Sequence, residues 1–381
     1  MTLKLEIENF KSIRKVELEL DDLTILVGPP AAGKSNILDA LAIMGYLHKF
    51  NVLNEEYKNY AANLEPLLFS ARFREISQLF RDYILTNTIK LKVAGGVNLS
   101  YEILYTAGAA KVMVDGKPLP WDLKTLRPDP MSELQNFVKT IPSLESRLYG
   151  FDRYGLMSEA STHPLSALHT RLQSLSTAKD TPSSILSEVG WNAPYIIRRH
   201  SKVVNNINEV LREHLGEKME LKVRRTGEAL IFDYDNEIDM IGVSETVFRV
   251  LYTLLALDSS QFYVKYHSLE KKFMALFEEP EAHVFPYFLN ILADHISNAV
   301  NNIYVVISTH NPIFVSWLWD RVEKVKTYYV YREADGSTSV RELDIGKMAR
   351  ELATAEEVLL KPPSEVIKKY VVEVAEGIES K

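Results

Sequence analysis

The sequence predicts an α/β fold: a mixed β-sheet core, an antiparallel β subdomain and a helical insertion. Three observations carry this reading. Leu23–Val27 is almost continuously apolar, as a strand buried on both faces is, and it runs straight into a glycine loop and a helix-periodic stretch at 36–49. Residues 89–93, 99–105 and 111–114 alternate apolar and polar side chains, with turn residues at Gly95-Gly96 and Asp115-Gly116. From about Pro118 to Pro194, proline and serine recur and separate short helical pieces, as at Pro128, Pro142, Pro164 and Pro182.

The remaining elements follow in order. Residues 3–7 and 16–20 read as strands ahead of Leu23–Val27, and 54–64 as a polar helix. Inside the insertion the helical pieces are 131–140 and 164–175. A helix is expected at 201–215, then a hairpin of 220–223 with 229–234. Residues 244–256 form an amphipathic helix, with Val247, Val250, Leu251, Leu254 and Leu255 on one face. Buried strands at 273–277 and 303–307 flank a helix at 286–297, and strands near 325–331 and 339–343 precede a tail helix at 364–376. The expected division is 1–117 and 200–345 as the two parts of one head, 118–199 as the insertion, and 346–381 as a helical tail. There is no internal repeat and no heptad run long enough for a coiled coil.

Composition narrows the function classes. At 381 residues, with 46% hydrophobic and 25% charged residues, the chain has ample material for a folded core. The balance of 44 basic and 51 acidic residues gives −7, so any nucleic-acid contact must come from a local basic patch. With no cysteine, disulfides, thiolate zinc sites and a cysteine nucleophile are excluded. No apolar stretch approaches the ~18 residues that span a bilayer, and a soluble, cytoplasmic protein without membrane contact is expected.

The glycine loop is Gly28-Pro29-Pro30-Ala31-Ala32-Gly33-Lys34-Ser35, followed by Asn36, and it matches the P-loop pattern in full. Backbone N–H groups of such a loop wrap phosphates, and the following helix points its positive end at them. Lys34 is placed to reach the β- and γ-phosphates, and the Ser35 hydroxyl to coordinate Mg²⁺.

Strand 273–277 runs into Glu278-Glu279-Pro280-Glu281-Ala282-His283. Proline and acidic residues in the first turn of a helix would account for this run without any chemistry. Beside a P-loop the same run offers Glu278 to the Mg²⁺ shell and Glu279 as general base for water. Strand 303–307 ends in Ser308-Thr309-His310-Asn311-Pro312, where Asn311 caps a helix with Pro312 at its first position. His310 is the one histidine of nine expected to meet the γ-phosphate and the attacked water.

These three motifs in this order resemble the ATPase head of ABC transporters, SMC proteins, RecF and the OLD-family ATPases. The opening Ile7-Glu8-Asn9-Phe10-Lys11-Ser12-Ile13, the Glu-Glu-Pro-Glu-Ala-His run and Ser-Thr-His-Asn-Pro narrow the resemblance to the RecF/OLD-like group. It implies an ABC/SMC-head-like P-loop fold, ATP and Mg²⁺ as ligands, and a nucleotide sandwiched between two copies of the head. The resemblance places Ser244, at the start of the amphipathic helix, against the partner's γ-phosphate, and Gln78 as a metal- and water-sensing glutamine. An ordinary surface position explains Gln78 equally well. Thr246 stands where that group usually has glycine, and Glu278 where it has aspartate.

The expected function is an ATP-hydrolysing switch that dimerises head to head on ATP and turns over slowly. DNA, or a nuclease-type protein, is the expected partner. A non-hydrolysing ATP clamp and, less readily, a transporter ATPase subunit remain as alternatives; the latter lacks its glycine- and glutamine-rich signature loop. Arg198, Arg199 and Lys202 are the candidate contacts to duplex DNA, within a 191–225 stretch whose eight basic and four acidic residues give +4. Ordinary surface charges would account for the same stretch.

Overall fold

The computed structural model describes residues 2–46, 75–106, 109–119, 121–122, 127–128, 136–137, 140, 144–151, 185–186, 193–223, 229–240, 242–266, 273–351 and 353–372. The expected helices at 54–64 and 164–175, and most of 131–140, lie outside these residues, as does the turn of the 220–234 hairpin.

In chain order the strands are β1 (Leu3–Phe10), β2 (Ile13–Leu20), β3 (Leu23–Val27), β4 (Ile89–Ala94), β5 (Leu99–Thr106), β6 (Ala109–Val114), β7 (Lys117–Pro118), β8 (Trp121–Asp122), β9 (Arg127–Pro128) and β10 (Glu145–Tyr149). They continue with β11 (Met219–Val223), β12 (Ala229–Asp233), β13 (Asn236–Asp239), β14 (Phe273–Glu278), β15 (Tyr304–Ser308), β16 (Val325–Arg332) and β17 (Thr338–Glu342). The helices are α1 (Lys34–Tyr46), α2 (Ala193–Arg199), α3 (Ser201–His214), α4 (Glu245–Tyr266), α5 (Pro286–Ala299), α6 (Pro312–Arg321), α7 (Ile345–Arg350), α8 (Ala355–Leu359) and α9 (Pro363–Tyr370).

Twelve strands form one sheet in the order β10-β14-β15-β3-β16-β17-β2-β1-β4-β5-β6-β7. From β10 to β16 neighbours run parallel, and from β2 to β7 antiparallel, so the mixed core and its antiparallel subdomain are one continuous surface. The two halves join through β17, which pairs with β2 only at Thr338 and Ile13. Strand β3 is buried at all five positions, because α4 and α5 cover one face and α1 the other. Its side chains obey the period of two: Leu23, Ile25 and Val27 enter one core cluster and Leu26 the other.

Strand β10 and the tail helix depart from the expectation. Strand β10 lies inside 118–199, the stretch expected to be a helical insertion, and pairs parallel with β14 as part of the central sheet. Its charges, Glu145 and Arg147, hide the strand from a hydropathy reading. They are nonetheless buried, because Arg147 Nη2 meets Glu145 Oε1 at 2.7 Å and Nη1 donates to the Leu186 carbonyl at 2.8 Å. Helix α1 packs against this strand where Gly45 leaves room: a Cβ there would stand 1.9 Å from Ser146 Oγ. The tail helix, expected over 364–376, ends at Tyr370. There Val371 bridges to Leu343, and the Tyr370 carbonyl accepts from Asp344 N at 2.8 Å, so strand-like pairing replaces helical bonds.

Candidate functional site

Strands β14, β15 and β3 are successive parallel neighbours, so their C-terminal ends open on one edge of the sheet, where open α/β sheets bind ligands. Gly28 follows β3, Glu279 follows β14, and Thr309 and His310 follow β15. Motifs far apart in sequence therefore converge because each terminates a strand of the same parallel set.

The loop after β3 needs its glycines. Gly28 has φ +140°, and a Cβ on it would lie 2.0 Å from the Val330 carbonyl oxygen on β16. Gly33, at φ +107°, is pressed against Thr338, whose Oγ1 would be 2.0 Å from a Cβ. That hydroxyl donates to the Ala32 carbonyl at 2.9 Å and shares a 2.6 Å hydrogen bond with Ser12 Oγ, which also accepts from Asn36 Nδ2 at 2.6 Å. On the outer side, Arg332 Nε donates to the Ala31 carbonyl at 2.8 Å. The loop is thus fixed before any ligand arrives. Below it, Lys11 Nζ meets the buried Asp39 at 2.7 Å and ties the β1–β2 turn to α1.

Lys34 is 5% exposed and donates to the Gly28 and Pro29 carbonyls at 2.8 and 2.9 Å. Burial pushes its pKa down to about 8, opposed by the charges of Glu279, Glu278 and Glu281. The Ser35 hydroxyl donates to Glu278 Oε1. A hydroxyl and a carboxylate oxygen meeting at a P-loop are the hard donors that Mg²⁺ takes alongside phosphate oxygens, so the donor set fits that ion. Among the described residues, no three His, Cys, Asp or Glu side chains cluster as an all-protein metal cage.

Residues 279–283 form turns, and α5 begins only at Pro286, so a helix start does not account for the glutamates. Glu279 sits at φ +46°, an uncommon conformation for a side chain other than glycine, held by its N–H on the Ser308 carbonyl at 2.8 Å. Its Oε1 lies 2.8 Å from His310 Nε2. Burial, and then the charge of Lys34, depresses the His310 pKa, while Glu279 and a hydrogen bond to the Gly28 backbone act in the opposite sense. Asn311 caps α6 by accepting from Phe314 N at 3.1 Å, with Pro312 at the first position, as its sequence implies.

Ser244 caps α4, its exposed hydroxyl accepting from Val247 N at 3.3 Å. Thr246, in place of the usual glycine, donates to the His283 carbonyl at 3.0 Å and accepts from Phe285 N at 3.1 Å. Arg249, one turn further along, reaches the Glu279 carbonyl at 3.2 Å and Glu245 at 3.0 Å. The start of α4 is thereby fastened to the loop that carries Glu279. Gln78 lies in a short 3-10 turn, Ile76–Leu79, and forms a capping box with Glu75. Its segment runs beside the β1–β2 turn, where Lys11 N donates to the Leu79 carbonyl at 2.8 Å.

The first 94 residues match the family described as AAA ATPase domain. Among solved structures, an SMC head bound to the C-winged helix domain of ScpA is 16% identical, with a TM-score of 0.54, over 91% of this chain and 98% of that one. An SMC head domain with an extended coiled coil, bound to the C-terminal domain of ScpA and derived from Pyrococcus furiosus, is 15% identical at a TM-score of 0.54, over 92% and 99% of the two chains. The fold is that of SMC head domains. No curated protein matches the chain in sequence.

Within this head, several supporting residues escaped the sequence reading. Thr338 stands 326 residues from Ser12 and carries no motif of its own. Arg249 sits on a helix that its periodicity marks only as amphipathic. Arg198 and Arg199 end α2 and Lys202 lies in the first turn of α3, each of the three exposed. Arg212 and Lys222, from the same basic stretch, both pair with Glu220, while Arg224 and Arg225 lie outside the described residues. No helix among the described residues is long and apolar enough to cross a membrane.

Proposed function

We propose that the head binds ATP at Gly28–Asn36 and hydrolyses it with Glu279 as general base. The observation that carries this reading is the Glu279–His310 contact of 2.8 Å at the strand ends beside Lys34. Lys34 exchanges the Gly28 and Pro29 carbonyls for the β- and γ-phosphate oxygens, and the loop's N–H groups hold the rest of the chain of phosphates. Ser35 and Glu278 would hold Mg²⁺, which would supply positive charge against the charge developing on the phosphate. Glu279 orients a water and accepts its proton, while the His310 ring, 2.8 Å from Glu279, holds that carboxylate in line with the γ-phosphate.

Ser244 lies exposed at the N-terminus of the 22-residue α4, suited to a phosphate of a second head. The active form is accordingly a head-to-head homodimer closed by ATP. Its output is to DNA, through Arg198, Arg199 and Lys202, or to a nuclease-type protein. Phosphate release by the purified chain tests the chemistry. Glu279→Gln should slow it about a hundredfold or more, the usual worth of a positioned base. Turnover by Glu279→Gln at the wild-type rate would refute the assignment.

A further inference from the structure

Glu281 is a buried carboxyl group to which the reaction above assigns no part. Its side chain is 6% exposed, between the loop that follows β14 and the loop that follows β15. Its Oε1 accepts from the Thr309 hydroxyl and from the His310 backbone N–H, the latter at 3.3 Å. Its Oε2 is buried with no hydrogen-bond partner in the protein. Thr309 passes the constraint onward, since its Oγ1 accepts from Asn311 N at 3.0 Å and Asn311 caps α6. One carboxyl oxygen thus gathers the peptide unit that carries His310 and the residue before it. Glu281 is itself two residues beyond Glu279 in the same turn, where Val284 N closes on its carbonyl at 3.0 Å.

A buried carboxyl with one unpaired oxygen is a costly choice for a wall residue, and a leucine would fill the space without that cost. What leucine lacks is an acceptor. We propose that Glu281 is a positioning residue, whose Oε1 fixes the backbone from which the His310 ring reaches Glu279. This rests on the reading of Glu279 as base with His310 as its partner. The facing ionisable groups are Glu279 from its own turn, His310 from the β15 loop and Lys34 from α1. Both protonation states of Glu281 satisfy the proposal, because a neutral carboxyl keeps an acceptor oxygen. Burial pushes its pKa up to about 7, which agrees with an acceptor role that does not need charge.

The test compares Glu281→Leu, which removes the acceptor, with Glu281→Gln, which keeps it. Two readouts are taken: ATP turnover beside ATP affinity, and the titration of the His310 ring by NMR with histidine-selective labelling. In Glu281→Leu turnover should fall about thirty- to a hundredfold, the scale of a misplaced catalytic group, with affinity within about threefold. Its His310 midpoint should fall, because the Glu279 contact that raises it is loosened. Glu281→Gln should restore both. Wild-type turnover and an unmoved His310 titration in Glu281→Leu would overturn the proposal, as would Glu281→Gln as impaired as Glu281→Leu. If Glu281→Leu does not fold, Thr309→Val takes its place, with smaller changes in the same direction, and no change in either readout overturns it. A wild type without ATPase activity refutes the proposed reaction alone, and the His310 titration still decides the role of Glu281.

Discussion

Glu279 Oε1 and His310 Nε2 stand 2.8 Å apart, although they follow different strands. The register of β14 and β15 explains the meeting: Glu278 is paired with Ser308, so each chain leaves the sheet at the same level. Glu279 turns back through a left-handed backbone conformation, and His310 lies against Gly28. A base and an imidazole thus face the loop that would hold the phosphates.

Lys34 supplies a pH signature. Its pKa is lowered to about 8 by burial, and phosphate oxygens favour the charged form, so ATP binding takes up a proton above that pH. ATP affinity should be flat near neutrality and fall as pH rises past 8, by up to about tenfold per unit while one proton is linked. Lys34→Ala should bind roughly ten- to a hundredfold more weakly, without that slope. Undiminished affinity in Lys34→Ala, measured by calorimetry, would contradict the role given to this side chain.

Glu279→Gln should also trap the dimer. With the base removed and the shape kept, ATP-bound heads accumulate in place of turning over. Light scattering should give twice the 43.4 kDa chain mass for this variant with ATP and Mg²⁺, and the single mass with ADP. A monomer in saturating ATP would argue against a nucleotide sandwiched between heads.

Folding stability carries a second pH dependence, through Glu281. Its carboxyl, raised from 4.5 to about 7 by burial, keeps its proton in the folded state after the unfolded chain has lost it. The folded state therefore binds more protons between these values, and this contribution to stability falls as pH rises through them. Glu281→Gln has no carboxyl to titrate and loses this dependence. In thermal melts of the ligand-free protein, the variant should gain on wild type from pH 4.5 to 7, by on the order of 3 kcal/mol at most. A difference that does not change with pH would contradict the burial argument.

The parts of this architecture that were legible in sequence are those written as contiguous motifs at strand ends. Strand β3 reads from four apolar residues among its five, and the P-loop follows it directly. Strand β10 was hidden because Glu145 and Arg147 satisfy each other only once folded, and a hydropathy pattern records charge without its partner. The same limit applies to the Ser12–Thr338 contact under the P-loop, which depends on β17 lying beside β2. Helix α4 runs on to Tyr266, beyond the expected end near 256, because buried Leu257, Tyr263 and Val264 keep its inner face packed past the polar Asp258-Ser259-Ser260.

Arg198, Arg199 and Lys202 are exposed residues of the basic stretch. If they contact duplex phosphates, retention should be independent of sequence and should weaken steeply with salt. Neutralising all three should flatten the log–log salt slope by about 2.7, at ~0.9 per phosphate contact, with ATP affinity unchanged. Filter binding at low salt that shows no retention of wild type, with or without ATP, would favour a protein partner.

Single-turnover hydrolysis bears most directly on the catalytic assignment. With the head in excess over radiolabelled ATP and with Mg²⁺ present, wild type should convert bound ATP to ADP, while Glu279→Gln should hold the same amount of nucleotide as ATP. Conversion by Glu279→Gln at the wild-type rate, with nucleotide bound equally, would contradict the account.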